Sequence, residues 1–545
     1  MSGLEAAITK VAEKISCPEL LDLLRLEEFN ESHTSLPEPE GATDQADPSL
    51  PIQDTHEATA QAWQVVNDPK SGPAVIPSTV VSEVATHQTA PSADPRKDLI
   101  CLGLIPAGAA EACFATYSHR LDHFVYRILD TPQSLSEIRQ RSPLLTAAVC
   151  AVGALHVDSD HFAVCYREFT QLASSQMFSK KHSLDDIRAL IVGAFWLHDI
   201  SWTLIGAAVR IATEMRLHRC VVKPQVSSRD WYLQTRLFCL LFVCDHHFSV
   251  AYGRPPLTPR DFDYPTVADA FSRCAFATED DSRLLSQVEI WSLSTKIYYM
   301  VGIDTDESLP KSSLPQLQRL SIAIDSWRAD WSGRFLTSER IGNYPNQGVK
   351  LHYHFTKLYL CSHAFRGAHD PASDSYNISE ELEDFANLAV HSATSILRHV
   401  VEDVEFQSFL NGLPAYYDTM IPFAVVFLLK VLAKDSPAVR VDRAGTYSLM
   451  ERLSFTLESI TAQMPKQHLL SSVASSLRNV VDSGRQSDKH TPQLTAMPGS
   501  AQSLENLNDI HDFQPMYDAN FITNFDFFGP QLGSLDSTFM EYSNG

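Results

Sequence analysis

Residues 227–267 read SSRDWYLQTRLFCLLFVCDHHFSVAYGRPPLTPRDFDYPTV, and they give the strongest indication of the fold class. From Asp230 to Tyr252 it is strongly apolar and holds neither glycine nor proline, which predicts a long buried helix. Gly253 and the two prolines after Arg254 end that helix, because glycine adopts a positive φ and proline cannot continue a helix. We therefore expect a core built from helices.

Helical signals continue on both sides of this segment, over residues 98–480. Ser134 and Glu137 have the spacing of a capping box, and Ser142 before Pro143 fits an N-cap followed by proline at the first helical position. A similar Ser-Leu-Asp-Asp start precedes a helix near residue 187. No convincing strand alternation appears, so the sequence predicts an all-α domain of helices packed on helices. The predicted helices are Ala109–Tyr126, Leu144–His156, Ile187–His198, Trp202–Arg216, Asp230–Tyr252, Arg283–Val301, Leu314–Trp331, Tyr353–Gly367, Ile378–Val404, Ile421–Lys434 and Thr446–Met464.

The two ends of the chain differ from this helical body. Residues 1–29 predict a short amphipathic helix, either a surface helix or part of a dimerising coiled coil. Residues 30–97 hold nine prolines and only three basic residues, which predicts an acidic disordered linker. Residues 481–545 form a tail predicted to be disordered, and its last 55 residues contain seven acidic residues and no lysine or arginine. The tail aromatics include Phe513, Tyr517, Phe521, Phe525, Phe527, Phe528, Phe539 and Tyr542.

Charge and cysteine content exclude several classes of protein. The net charge is -23, of which the two ends (1–97 and 481–545) carry -17 and the body -6, so the chain as a whole is not an electrostatic binder of DNA or of an anionic membrane. Its ten cysteines form no C-x-x-C pair, which favours buried thiols in a reducing compartment. The longest apolar run, near residues 421–429, is shorter than the roughly 20 residues that a bilayer requires. We expect no signal peptide and no membrane span.

The sequence offers weak candidates for chemistry. It has no glycine-rich phosphate loop, no H-E-x-x-H and no G-x-S-x-G elbow. The pair Asp280-Asp281 lacks the further acids that a metal requires, and we expect a solvated turn. Residues of the types that ligate zinc occur in the apolar helix and near residue 353, but their spacing there fits buried cysteines and ordinary histidines better than a zinc site. These residues are Cys239, Cys244, His246, His247, His352 and His354.

The order of residues around the long helix resembles the middle homology region of fungal zinc-cluster transcription factors. The wider resemblance covers about residues 98–480, including RSPLLTAAVCAVGALH at Arg141–His156, and is most similar to the branch of regulators of secreted proteases and of weak-acid resistance. It implies architectural and regulatory roles: we expect Arg254 to anchor the turn through Asp245 or helix carbonyls, and Asp261 and Asp263, in an extended segment, to cap or pair. The matching positions are Leu217, His218, Arg229, Trp231, Asp245, Ser249, Gly253, Arg254, Pro255, Asp261, Asp263 and Pro265.

The resemblance implies a nuclear transcription regulator whose helical domain regulates, dimerises or senses a small molecule. The family's zinc-binding DNA reader has no counterpart here, because only Cys17 precedes Cys101 and no basic cluster occurs. We expect no cofactor in this sequence, with zinc only where such a segment exists, and DNA contact only through that segment or a partner. The acidic tail predicts an activation region that contacts coactivators. The alternatives are a helical interaction protein that inhibits a related regulator and, less favoured, an all-α enzyme.

Overall fold

A computed structural model describes residues 98–129, 134–157, 160–222, 224–259, 263–302, 308–370, 375–433 and 436–489. The N-terminal helix, the linker and the tail beyond residue 489, with its aromatic residues, lie outside the described residues, as does Asp261.

The described residues are almost entirely helical, as the sequence predicts. The helices before residue 275 are α1 (Ala107–Thr116), α2 (Leu135–Arg141), α3 (Pro143–His156), α4 (Phe162–Gln176), α5 (Leu184–Trp196), α6 (Ser201–Glu214), α7 (Arg229–Ala251) and α8 (Tyr264–Ser272). The helices after residue 275 are α9 (Glu279–Val301), α10 (Leu314–Trp331), α11 (Tyr344–Ser362), α12 (Glu380–Glu402), α13 (Val404–Leu410), α14 (Ala415–Ala433), α15 (Arg443–Thr461) and α16 (Leu469–Lys489). Short helical turns occupy Tyr117–Leu121 (π), Asp122–Phe124 (α), and Leu217–Arg219, Lys311–Ser313 and His363–Phe365 (3₁₀). Two antiparallel two-residue strands, β1 (His369–Asp370) and β2 (Ser375–Tyr376), complete the fold.

Side-chain caps start several helices where the sequence places them. Ser134 and Glu137 form a reciprocal capping box at α2. The Ser142 hydroxyl accepts from the amide of Leu145 at 3.1 Å, directly before Pro143 of α3. Each cap satisfies amide groups that have no partner inside the helix, so these starts are fixed locally.

The core extends through the buried helices α3, α7 and α14. Helix α3 packs against α1, α4 and α5, and α7 packs against α6, α9 and α14. Helices α12 and α16, which like α14 come from the second half of the chain, also pack on α14. Both halves of the body therefore share one hydrophobic core.

A buried ion pair fixes the turn after α1. Arg236 of α7 donates to Asp281 at 2.6 Å and also to the carbonyl oxygens of Tyr126 and Arg127. Both of these turn residues have positive φ, an uncommon conformation for residues other than glycine. Asp281 is almost fully buried and caps α9 with Thr278, so the predicted solvated turn is wrong for Asp281.

Two predicted helix starts are wrong, and a proline lies inside each of these helices. Helix α11 begins at Tyr344 rather than at Tyr353, with Pro345 in its first turn. Helix α14 begins at Ala415 rather than at Ile421 and continues through Pro422. Pro345 loses no hydrogen bond in the first turn, where amides lack partners, and so does not mark a boundary. Pro422 lies in the interior of α14, where proline removes one backbone hydrogen bond, and the helix continues through it within the core.

Helix α14 is longer and more apolar than the run in the sequence suggests. Its mean hydropathy is 1.5, which makes it the one helix among the described residues long and apolar enough to cross a membrane. However, 83% of the 18-residue stretch that has this hydropathy is buried inside the protein. Because α7, α11, α12 and α16 pack on it, we assign α14 to the core.

Candidate functional site

The segment between α6 and α7 turns sharply and is held by Trp231. Arg216 ends α6 with a φ of 60°, and Leu217 is buried in the following 3₁₀ turn, next to the half-buried His218. The indole nitrogen of Trp231 donates to the carbonyl of Cys220 at 2.7 Å. The Trp231 ring thus joins the start of α7 to this turn.

Arg229 lies in the first turn of α7, with its exposed guanidinium 5.8 Å from the centre of the Phe276 ring. The Trp231 ring lies 5.9 Å from the ring of Phe271 in α8. Both residues therefore face the segment around α8.

Asp245 fastens the loop after α7 to the helix itself. One carboxylate oxygen accepts the amides of Leu257 at 2.9 Å and Thr258 at 2.7 Å, and the Thr258 hydroxyl at 2.7 Å. Burial raises the pKa of the Asp245 carboxyl, and these bonds oppose the rise. The carboxylate is committed to the loop.

His246 continues this chain of hydrogen bonds to α9. Its Nε2 lies 2.9 Å from the Thr258 hydroxyl, and its Nδ1 contacts the hydroxyl of Thr295. Burial lowers the pKa of His246 to about 3, so the ring is neutral near pH 7. A neutral imidazole donates from one nitrogen and accepts at the other, which suits a link between two hydroxyls.

The end of α7 is closed by Ser249, Gly253 and Arg254. The Ser249 hydroxyl donates to the carbonyl of Asp245 at 2.7 Å, and the Arg254 amide donates to the carbonyl of Ser249 at 2.9 Å. Gly253 has a φ of 61°, which glycine adopts without strain. Pro255 follows and is exposed.

Arg254 does not pair with Asp245, so the first of the two expected anchors is wrong, whereas its backbone amide does bond a carbonyl at the end of the helix. Its guanidinium instead lies over Trp202 of α6, 4.9 Å from the ring centre, and 5.6 Å from the ring centre of Tyr252. Such cation–π contacts stabilise exposed arginines by about 0.5–1 kcal/mol each. The Gly-Arg-Pro turn therefore joins α7 to α6.

Helix α8 begins at Tyr264, so the predicted extended conformation is wrong for Pro265, whereas Asp263 directly precedes the helix as its N-cap. Asp263 caps α8 by accepting the amide of Thr266 at 3.3 Å and its hydroxyl at 2.6 Å. Pro265 lies in the first turn of the same helix. Capping by Asp263, which the sequence suggested, is what the structure shows.

The residue types that ligate zinc do not converge on a metal site. Cys239, Cys244, His246 and His247 lie in the buried interior of α7. No group of three or more such residues is placed to hold a metal ion within the described part of the chain. Burial raises the pKa of both thiols, which makes them poor nucleophiles.

A buried aromatic cluster joins α7 to α9, α11 and α14, and sequence reasoning missed it. The ring of His247 stacks on Tyr416 with centres 3.5 Å apart, and Trp291 and His352 pack beside them. His354 is also buried, but its ring lies 6.3 Å from that of His391, outside this cluster. These residues are distant in sequence, so no local pattern predicts the cluster.

A groove of about 690 Å³ runs between α12 and α15, and sequence reasoning missed it as well. Its rim carries both charge signs, including Glu383 and Arg440 4.0 Å apart and Glu402 and Arg452 3.9 Å apart. Both helices are separately predicted by sequence, but their packing is not.

Together these contacts define a large all-α domain in which the motif residues fasten helices to one another. Over residues 103–481 the chain matches the family described as the middle domain of the transcriptional activator of proteases prtT. The chain belongs to this family, which confirms the resemblance to regulators of secreted proteases.

Curated relatives agree with this family. The chain is 36% identical to the transcriptional activator of proteases prtT of Emericella nidulans over 397 residues, 71% of this chain and 59% of that protein. It is 25% identical to protein priB of Lentinula edodes over 213 residues, which are 36% of this chain and 35% of priB. It is also 25% identical to the acetamidase regulatory protein of Aspergillus fumigatus over 281 residues, 46% of this chain and 34% of that protein. The matches thus span between about a third and three fifths of these relatives. No solved structure matches the chain.

Proposed function

We propose that this protein is a transcription regulator of the fungal zinc-cluster type, acting in the nucleus on genes transcribed by RNA polymerase II. The family match over residues 103–481 carries the proposal. Two of the relatives have names that describe an activator and a regulatory protein.

The proposal assigns no enzymatic activity to the chain. The acidic groups that most resemble catalytic residues are buried and already hydrogen-bonded. Asp245 bonds the amide of Thr258, and Asp281 pairs with Arg236. Catalysis requires a nucleophile or base that a substrate can reach. Regulation of other proteins requires no such group.

The proposal includes a homodimer, and a route to DNA through a zinc-binding segment or a partner. The helical body carries a net charge of only -6, which gives no basic surface overall for phosphates. The acidic tail would then contact transcriptional coactivators through its aromatic residues.

A tethered reporter assay tests this function. The full chain is fused to a foreign DNA-binding domain, with deletion of residues 506–545 as the variant and deletion of the equally long segment 50–89 as the control. We expect activation by the full fusion, a several-fold loss on deleting 506–545, and little change for the control.

The same assay distinguishes the second candidate, an inhibitor of a related regulator. That candidate is favoured by the absence of a C-x-x-C pair or basic cluster in the sequence. A fusion that reaches the nucleus but does not activate contradicts the activator and supports the inhibitor.

A further inference from the structure

The loop between α4 and α5 presents an aromatic ring to solvent. Phe178 is 91% exposed, more than any other large hydrophobic residue that the structure describes. Two exposed lysines, Lys180 and Lys181, follow it, and the exposed Arg210 of α6 contacts the loop. We call these four residues the Phe178 patch.

Internal bonds hold this loop in place. The Ser179 hydroxyl accepts the amide of Lys181 at 3.1 Å and donates to its carbonyl at 3.0 Å. Arg210 donates to the carbonyl of Met177, which ties the loop to α6. The exposed ring therefore belongs to a loop held by hydrogen bonds, and its exposure is a feature of the folded loop rather than of a loose helix end.

The positive charge of the patch is not neutralised by its neighbours. Lys180 and Lys181 make no ion pair with any residue that the structure describes. The nearby acids have other partners, because Asp185 pairs with two arginines and Asp186 caps α5. Glu214 lies 4.0 Å from His182. An exposed ring beside unpaired cations fits a ligand that is both aromatic and anionic.

We propose that the Phe178 patch binds the acidic-aromatic tail of the same chain, within residues 506–545. That segment carries six acidic residues, eight aromatic residues and no lysine or arginine, which complements the patch in both respects. Phe513 follows Lys489, the end of α16, by 24 residues, and 24 residues span at most roughly 80 Å. The inference rests on the proposed function, since it makes the activating tail a ligand of the helical body.

The groove between α12 and α15 is a weaker receptor for the tail. Phe455, 76% exposed, lies beside it, but Glu451 and Arg452 line the same depression as that ring, and Glu402 lies 3.9 Å from Arg452. An acidic segment gains little there, because the carboxylates of the rim repel it. The groove therefore serves as the matched comparison.

Site-specific photocrosslinking in the full chain tests the contact directly. Phe178 is replaced by the photoreactive p-benzoylphenylalanine, with the same replacement at Phe455 as the control, and crosslinked peptides are identified by mass spectrometry. We expect crosslinks from position 178 to residues 506–545 and none of comparable yield from position 455. The substitutions Lys180→Glu and Lys181→Glu together are expected to lower the yield at least about fivefold, as is salt raised from about 0.05 M to about 0.5 M.

The outcomes separate this contact from the proposed function. The contact is overturned if position 178 crosslinks to another segment. It is also overturned if residues 506–545 crosslink equally well from positions 178 and 455, or from neither. Both conclusions hold whatever the reporter shows. With mixed isotopically light and heavy chains, crosslinks solely between two copies overturn the intramolecular form. A tail that crosslinks but does not activate the reporter retains the contact and removes the activation role.

Discussion

At the scale of single residues, the burial of the Asp418 side chain is energetically unfavourable. It is fully buried in the first turn of α14, and neither of its oxygens has a hydrogen-bond partner among the described residues. The helix N-terminus favours an anion by up to about 2 kcal/mol. Removing a carboxylate from water costs several kcal/mol, so burial prevails and raises the pKa of Asp418 well above its usual range.

This pKa predicts how stability depends on pH. The unfolded carboxyl ionises at its usual pKa of about 3.9, whereas the folded one retains its proton to higher pH. The native state therefore binds more protons than the unfolded state, and stability falls as pH rises above about 4. For Asp418→Asn we expect this part of the slope to vanish. Between pH 5 and pH 8 the variant then gains up to about 4 kcal/mol relative to the parent, the limit for one proton.

Urea denaturation of both proteins at several pH values measures this difference. Asp384→Asn is the matched control, because Asp384 is an exposed acid of α12. Its pH profile should follow that of the parent. A parallel profile for Asp418→Asn contradicts the assignment of Asp418 as a buried neutral acid.

At the scale of elements, a single glycine determines how closely α1 and α3 approach. A Cβ atom at Gly153 would lie 2.2 Å from the backbone oxygen of Cys113. Gly153→Ala therefore forces the helices apart, and we expect destabilisation by about 1–3 kcal/mol, as for other overpacked cores. Thermal and urea denaturation measure the loss.

Gly108, in α1 itself, provides the control. A Cβ atom there meets no other atom within 4 Å. Gly108→Ala should be neutral or stabilise the protein by up to about 1 kcal/mol, since alanine favours helix. Equal losses for both variants would show that helix propensity, not the contact with Cys113, determines the effect.

Helix starts with side-chain caps could be predicted from the sequence, because the cap and its amide lie within a few residues. Ser134 and Ser142 are examples, and the bounds of α10 agree with the prediction. Helix α8 was missed because Asp263 and Pro265 suggest an extended segment equally well. Pro422 lies inside α14, and a proline normally marks a helix start, so the predicted helix began only at Ile421.

The partners of buried polar groups could not be predicted from the sequence. Arg236 and Asp281 are 45 residues apart and meet only through the packing of α7 on α9. Arg254 has a carboxylate within ten residues, yet it lies over Trp202. Short-range spacing constrains caps, whereas such pairs depend on how whole helices cross.

At the scale of the whole molecule, the two halves of the described body meet around α14. The indole nitrogen of Trp196 donates to the carbonyl of Gly412 at 3.3 Å, and the ring of Phe124 lies 4.8 Å from that of Tyr344. Tyr416 stacks on His247 with ring centres 3.5 Å apart. Such contacts across the sequence indicate one cooperative body rather than two separate cores.

Tyr416→Ala tests this cooperativity, because it removes a buried ring that both halves contact. We expect a loss of about 3–5 kcal/mol, typical of a large aromatic side chain in a core. Hydrogen exchange should then accelerate together in α5 and α7 of the first half and in α11 of the second. Phe455→Ala removes an exposed ring from α15 and should change stability by less than about 0.5 kcal/mol. Faster exchange in α11 with unchanged exchange in α5 would instead show that the halves unfold independently and that the stacked rings only join two cores.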